Sequence, residues 1–254
     1  MSNRPMKRRL IFLSALVVAA TLGSFTNTVR GDASAPKTVE ISRDPHFRLL
    51  MENTSVRVWM MELRPNEKTN LVSRNHDFLQ ISLDEGWMST SIEGKPAIPF
   101  WVEKKPRFVR GGFSQVVQNT SKIIARVIEV EFIEAVGVER CGPEAQVSCG
   151  CWGAVAGIIS PIGCRVLETD YVAISQLEAH PGERLGLVAP ALVVSIDSIR
   201  IQHASNGEAA LIVRPGEVLW MDKTAQPIES LDLHATAKAV TIEFKSHTAD
   251  LGAR

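Results

Sequence analysis

Features that mark several common protein classes are scarce or missing in this sequence. The 28 Lys and Arg residues are balanced by 28 Asp and Glu residues, so the basic excess typical of nucleic-acid-binding proteins is absent. Beyond the first residues, no apolar run approaches the roughly 20 residues needed to span a bilayer. There is also no Ser/His/Asp constellation, phosphate-binding glycine loop or paired-carboxylate signature. These absences argue against a nucleic-acid-binding protein and against the commonest catalytic classes.

The N-terminus has the pattern of an export signal. Arg4, Lys7, Arg8 and Arg9 precede an uncharged apolar stretch from Leu10 to Leu22. A basic segment followed by a short apolar segment is typical of a secretory signal and too short for a stable membrane anchor. We predict a signal peptide over residues 1–31. The mature protein is then secreted or periplasmic and has no membrane span.

Four cysteines lie between the two halves of the chain, namely Cys141, Cys149, Cys151 and Cys164. An even number of clustered cysteines in an exported protein favours disulfides, although four thiolates could also hold zinc. Three disulfide pairings are open, and a bridge between Cys149 and Cys151 is disfavoured because so short a loop strains it. In either case, the cysteines constrain a connector that is rich in glycine and small residues.

The mature chain contains the same series of signals twice, in Val56 to Phe132 and in Tyr171 to Phe244. Each copy has a Pro-x-Glu-Lys/Arg turn, then a Ser-x-Asp motif, and a closing strand that ends in Glu-Phe. These signals are Pro65–Lys68, Ser82–Asp84 and Glu131–Phe132 in the first copy, and Pro181–Arg184, Ser195–Asp197 and Glu243–Phe244 in the second. Repetition on this scale indicates a duplicated domain. Because the Ser-x-Asp motif recurs at the end of a predicted strand, we expect it to serve the fold.

Both copies are rich in short β-strand signals separated by turns. Runs such as ARVIEVEF alternate between apolar and polar residues, and no long amphipathic helical period is present outside the leader. The pattern predicts an all-β protein built from two tandem barrels or sandwiches. We expect a polar tail over 32–45, an N-terminal barrel over 46–136, a Cys-rich connector over 137–165, a C-terminal barrel over 166–246, and a tail over 247–254.

Two spaced motifs in the first copy resemble a known family. Asn66, Val72-Ser73-Arg74, Leu79 and Gly86 have the spacing of a Gly, His-x-His, Glu, Gly motif, and Arg110, Gly112, Gln115 and Asn119 have that of Pro-x-Gly-x-x-His-x-x-x-Asn. By this spacing the chain resembles the cupins, specifically the bicupins, over about Phe47 to Lys245. The resemblance implies two cupin-type barrels, each a jelly roll or double-stranded β-helix.

The resemblance also implies a metal site whose ligands are missing here. The four positions that hold a divalent metal in metal-binding cupins are Val72, Arg74, Leu79 and Gln115 in this chain. Valine and leucine offer no donor atom, and a cationic arginine would repel a dication. The corresponding positions of the second copy are Val188, Pro190, Val194 or Ser195, and a position near Pro227. We therefore predict no metal and no other cofactor.

The vacated metal site could instead receive an organic guest. Arg74, His76, Gln115 and Asn119 are the predicted ligand-binding residues, because a guanidinium group and amides suit a small polar or anionic molecule. The alternative is that Arg74 pairs with Asp77 or a nearby glutamate and that the barrel is filled by side chains. His76 is the weak catalytic candidate. The remaining histidines are His46, His180, His203, His234 and His247. Of these, His180 and His247 look structural, and His203 and His234 have no evident partner.

Three functions follow from these expectations. The favoured one is an exported, non-catalytic protein that binds a small ligand or a partner, with no nucleic acid involved. The second is a cupin-type enzyme, a metal-independent isomerase or epimerase or an oxidoreductase, that uses His76. The third is a structural interaction module, in which the chain could assemble as a homo-oligomer.

Of the five tryptophans, we expect Trp59 and Trp220 to pack in cores rather than to form a sugar-binding platform.

Overall fold

The computed structural model describes residues 37–142, 145, 148–155, 158–180, 184–186, 190–201, 211–221, 227–230 and 236–245, with backbone only at 152–155, 158–162, 184–186 and 227–230. The predicted signal peptide lies outside these residues. The strands are β1 Val39–Glu40, β2 Phe47–Glu52, β3 Val56–Leu63, β4 Val72–Arg74, β5 Phe78–Ser82, β6 Gly86–Ile92, β7 Ile98–Val102, β8 Pro106–Val109, β9 Phe113–Asn119, β10 Ala125–Phe132, β11 Glu139–Cys141, β12 Cys151–Val155, β13 Ile158–Thr169, β14 Val172–Ala179, β15 Arg184–Gly186, β16 Ala191–Ser195, β17 Ile199–Ile201, β18 Leu211–Val213, β19 Val218–Met221, β20 Pro227–Ser230 and β21 Ala237–Phe244. A 3-10 helix, Ile41–Arg43, lies between β1 and β2.

The first barrel consists of two five-stranded sheets. One has the order β1-β4-β9-β6-β7 and the other β2-β3-β10-β5-β8. Short turns connect strands that lie in the same or in opposite sheets, and alternate residues of each strand face the space between the sheets. The polar segment that precedes the barrel contributes β1, in which Val39 pairs in parallel with Val72.

The second barrel repeats this topology. Its sheets have the orders β11-β13-β14-β21-β16-β19, with β12 paired to β13, and β15-β20-β17-β18. Apart from β11 and β12, and from β1 of the first barrel, which has no counterpart among the described strands, the strand orders of the two barrels match. Val58 pairs with Val130 in the first barrel, and Ile174 pairs with Ile242 at the equivalent place in the second. The prediction of two tandem β-barrels from a duplicated sequence is therefore confirmed.

The two barrels pack against each other through one apolar core. Leu79, Ile128 and Val130 from the first barrel share a buried cluster with Ile174 and Val240 from the second. These side chains alternate along their strands with residues that face the barrel interiors, so each of these strands is buried on both faces. The near-continuous apolar runs of these strands are explained by this double burial.

The repeated Ser-x-Asp motif closes the same turn in both barrels, as expected. The Ser82 hydroxyl donates to the carbonyl oxygen of Asp84 at 2.5 Å, and Ser195 does the same to Asp197. The carboxylate of Asp84 accepts from the backbone N–H of Arg126. In the second barrel, Asp197 accepts from the backbone N–H of the equivalent Lys238 in the same way.

The cysteine-rich connector is part of the second barrel's sheet. Disulfides join Cys141 to Cys149 and Cys151 to Cys164, and the latter pair is directly opposite on β12 and β13. The predicted preference for disulfides over zinc is thus confirmed, and the connectivity that spacing left open is resolved. Strand β13 runs across the predicted boundary at residue 165 and pairs with β14, so the connector supplies the first strand of the second barrel.

Candidate functional site

The interior of the first barrel contains a cavity of about 400 Å³. It opens between β7 and β8, which are the edge strands of the two opposing sheets. Most of its wall is apolar and comes from residues on seven strands, β3 and β5 to β10, and it includes Phe78, Met88, Phe100, Phe113, Val117 and Val127. A concave, mainly apolar space with a few polar groups is the usual form of a small-molecule site.

Gln115 supplies an unpaired hydrogen-bond donor in the cavity wall. Its side chain is only 7% exposed, and its Oε1 accepts a 3.2 Å hydrogen bond from the hydroxyl of Thr90. Its Nε2 is buried and has no hydrogen-bond partner among the described residues. Because an unsatisfied buried donor costs roughly 1–3 kcal/mol, its presence in a cavity wall indicates a place for an acceptor.

Beside the cavity, Arg74 and Glu129 form a buried, bidentate ion pair. Arg74 donates from Nη1 to Oε2 of Glu129 at 2.6 Å and from Nη2 to Oε1 at 3.1 Å, and both side chains are less than 5% exposed. The rings of Phe47 and Phe78 lie about 5 Å from the guanidinium carbon of Arg74. Gln80, which lines the cavity, donates from Nε2 to Oε1 of Glu129 at 3.0 Å.

The mouth of the cavity contains charged side chains of both signs. Lys105 pairs with Glu103, and the hydrogen bond and charge of Glu103 raise the pKa of Lys105 above its usual value. Arg107 is exposed, packs over the Phe100 ring at 5.9 Å, and forms no ion pair with any other residue that the structure describes. Arg107 therefore gives the entrance its net positive charge.

The predicted ligand-binding residues do not share one space. Gln115 lines the large cavity, whereas Arg74 and His76 line a separate one of about 10 Å³, which is too small for an organic molecule. His76 is half-buried and makes no side-chain hydrogen bond to the rest of the described chain. Asn119 is fully buried, and its amide is occupied by Leu63, Ser121 and Ile123.

Of the four positions of the first barrel that align with metal ligands, three lie together on neighbouring strands and one does not. Val72 lies directly opposite Gln115 on neighbouring strands, and Arg74 is on the same face of β4 as Val72. Leu79, by contrast, faces the core between the barrels, and the inward position beside it is Gln80. The register counted from spacing is therefore one residue off at this strand, because neighbouring strand residues point to opposite faces.

Arg74 pairs with a glutamate, but not with a near neighbour. The expected partner, Asp77, instead binds Arg110 at 2.8 Å, and the observed partner, Glu129, comes from β10. A signal for Glu129 was present in the sequence. Along β10, Glu129 shares the inward face with Ala125 and Val127, and a carboxylate among buried residues requires a cationic partner.

The second barrel has uncharged residues at two corresponding interior positions. Register places Thr241 where the first barrel has Glu129, and Val193 where it has Gln80. The buried interior cluster comprises Leu177, Ala179, Val193, Ile199, Ile201, Val213, Met221, Ala237 and Ala239.

Of the predicted vacated positions in the second barrel, Pro190 is exposed, Val194 lies in the inter-barrel core, and Ser195 closes its turn. Val188 lies outside the described residues, and Pro227 pairs through its backbone with Gly186. Within the part of the chain that the structure describes, no group of three or more His, Cys, Asp or Glu side chains could hold a metal ion.

The remaining histidines and the two tryptophans predicted to pack in cores lie away from the cavity or outside the described residues. His46 bonds through Nδ1 to Asp44 at 2.8 Å, and His180 lies 3.0 Å from the Thr236 hydroxyl. Trp59 is buried and Trp220 packs against the inter-barrel core, as predicted. His203, His234 and His247 lie outside the described residues. Across the described ranges, no helix has the length and apolar character that a membrane crossing requires.

Comparisons with known proteins agree with the architecture. No protein-family model matches the sequence, and no curated protein matches it significantly. Solved structures do match. Protein YlbA from E. coli has a TM-score of 0.55 at 12% identity, with 84% of this chain and 88% of that chain covered. A cupin 2 conserved barrel domain protein from Leptotrichia buccalis has a TM-score of 0.51 at 13% identity, with 78% and 88% covered.

A variant of the oxalate decarboxylase OxdC from Bacillus subtilis has a TM-score of 0.51 at 11% identity, with 80% of this chain and 76% of that chain covered. At such low identity these matches establish the fold. The chain is an all-β protein of the cupin fold, and its two barrels have the tandem arrangement of a bicupin.

Proposed function

We propose that this protein is an exported, non-catalytic cupin-fold protein whose first barrel binds a small organic molecule. The observation that carries the proposal is the unpaired Nε2 of Gln115 in the wall of a 400 Å³, mainly apolar cavity. A ligand with an apolar body and an accepting group would fill this space and satisfy the donor. The sequence led us to expect a polar or anionic ligand. In the present proposal, only one group of the ligand is polar, and the rest of the molecule is apolar.

Two further observations support ligand binding over catalysis. The polar groups within the cavity are amides and hydroxyls, Gln80, Ser82, Thr90 and Gln115, and the charged Glu103 and Lys105 that line it lie at the solvent-exposed mouth. His76, the candidate base, lines a different space and has no acidic partner among the described residues to orient it. The two disulfides support an oxidising location such as the periplasm or the exterior of the cell.

Binding of the neutral fluorescent probe 6-propionyl-2-dimethylaminonaphthalene to the folded protein tests the proposal. The probe has an apolar body and a ketone acceptor, and we expect saturable binding with enhanced fluorescence and a raised Tm. Ile92→Trp places a large ring at the cavity wall and should abolish this binding. The same change at exposed Ile123, Ile123→Trp, should leave it intact. Equal binding by both variants would show that the probe does not enter the cavity.

A further inference from the structure

The orientation of the Gln80 amide is fixed by the buried ion pair. The Glu129 carboxylate can only accept hydrogen bonds, and Arg74 holds both of its oxygens. Gln80 must therefore turn its Nε2 toward Glu129, as the 3.0 Å hydrogen bond shows. A flipped amide would set the Gln80 oxygen against a buried negative charge. The ion pair thus determines which atom of the Gln80 amide remains free to bind a ligand.

The free atom of the Gln80 amide is Oε1, a hydrogen-bond acceptor. Gln80 lines the cavity, and no described residue donates a hydrogen bond to its Oε1. Gln115, on the opposing sheet, presents its Nε2 as an unpaired donor in this structure, while its Oε1 accepts from the Thr90 hydroxyl. The two amides therefore present one free acceptor and one free donor on facing strands, and neither amide carries a charge, whereas the charged groups that line the cavity, Glu103, Lys105 and Arg107, lie at its mouth.

We propose that the ligand of the first barrel carries a neutral carboxamide or lactam group. This inference rests on the proposed ligand-binding function and specifies the chemistry of the molecule. A carboxamide accepts through its oxygen and donates through its N–H, so it satisfies Gln115 and Gln80 with two different atoms. An ionised carboxylate offers only acceptors and would meet the Gln80 oxygen unfavourably. Arg107, at the exposed mouth, is in a solvated position where it compensates little.

A matched series of naphthalene probes separates these chemistries. The probes are 2-naphthamide, methyl 2-naphthoate, 2-naphthoate and naphthalene itself, which share one apolar body and differ in the polar group. Each is titrated against the oxidised protein at pH 7, and the Kd is measured by calorimetry or by displacement of the neutral ketone probe. We expect 2-naphthamide to bind about tenfold more tightly than the ester or naphthalene, and more tightly than the carboxylate.

Variants identify the residues that read the amide. Gln80→Met and Gln115→Met keep the side-chain length and remove one hydrogen-bonding partner each, so each should reduce the preference for 2-naphthamide over naphthalene by about threefold to tenfold. Gln118→Met makes the same change on the outer face of β9 and should leave the preference unchanged. Thermal unfolding of each variant confirms that the barrel is intact.

The outcomes distinguish the two proposals. If none of the four probes binds, the proposed function itself fails. If naphthalene binds but 2-naphthamide binds no better, or if 2-naphthoate binds best, ligand binding stands and the carboxamide inference is overturned. A preference for 2-naphthamide that survives both glutamine substitutions also overturns it, because the recognition would then come from other residues.

Discussion

Arg74 directs two of its guanidinium N–H groups at the carboxylate of Glu129, and both residues are almost completely shielded from solvent. Two charges taken out of water at this depth stabilise the fold only while they remain together. The pair lies against the cavity and also orients Gln80. Its integrity therefore matters for stability and for the proposed site.

Removal of one partner of this pair should be strongly destabilising. Glu129→Gln leaves Arg74 charged, buried and without its counter-ion, and we expect the free energy of unfolding to fall by about 3–5 kcal/mol. Urea unfolding followed by circular dichroism measures the change. Glu62→Gln, an exposed position, should remain within about 0.5 kcal/mol of the wild type.

The double variant Arg74→Met/Glu129→Leu provides a second check, since replacing both charges by apolar groups should recover most of the lost stability. A loss below about 1 kcal/mol in Glu129→Gln would contradict the account of a tightly coupled pair.

Stability should also depend on pH through Asp84. Partial burial by itself raises the pKa of Asp84, but the hydrogen bonds and charge of Arg126 outweigh it, so the pKa lies below its usual value. A carboxyl whose pKa is lower in the folded state stabilises the fold above its unfolded pKa, near 4, and loses this contribution as the pH falls through the folded pKa.

We accordingly expect Asp84→Asn to reduce stability by about 1 kcal/mol at pH 7, a modest value because Arg126 is partly exposed. The difference from the wild type should hold from about pH 5 to 8 and shrink below about pH 4. Chemical unfolding over this range measures it, with the exposed neighbour Glu85→Gln as the control. A difference that grows toward acid pH would contradict the assignment.

Single cysteine variants should report the disulfide pairing. After denaturation without reductant, alkylation of Cys151→Ser should label Cys164, and alkylation of Cys141→Ser should label Cys149. Peptide mass spectrometry identifies the labelled residue. Loss of the Cys151–Cys164 bridge should cost up to about 3 kcal/mol, since it closes a loop with a sequence separation of 13. Any other labelled cysteine would mean a different connectivity.

Metal analysis should distinguish the ligand-binding proposal from a metalloenzyme. We expect less than about a tenth of an equivalent of iron, manganese, nickel or zinc in the oxidised protein after dialysis without chelator, measured by plasma mass spectrometry. Val72 and Gln115, two of the positions aligned with metal ligands, provide no charged donor. Stoichiometric metal would require ligands other than the four aligned positions and would support the oxidoreductase alternative.

The architecture was more predictable from the sequence than the positions of the site residues were. The repeated Ser82 and Ser195 motifs and the alternating strands were sufficient to predict two barrels, because strand period and turn chemistry are local. The partner of Arg74 and the inward position on β5 were not predictable in this way. Glu129 is distant in the chain, and a register shift of one residue exchanges Leu79 for Gln80.

The asymmetry between the barrels has an evolutionary consequence. After a duplication, both copies of an interior position begin with the same task, and here they have diverged into Glu129 and Thr241. The second barrel packs against the first through their shared core, so substitutions in the first interior leave this contact in place. Selection for a new guest could therefore act on Gln80, Thr90 and Gln115 while the second half preserves the scaffold.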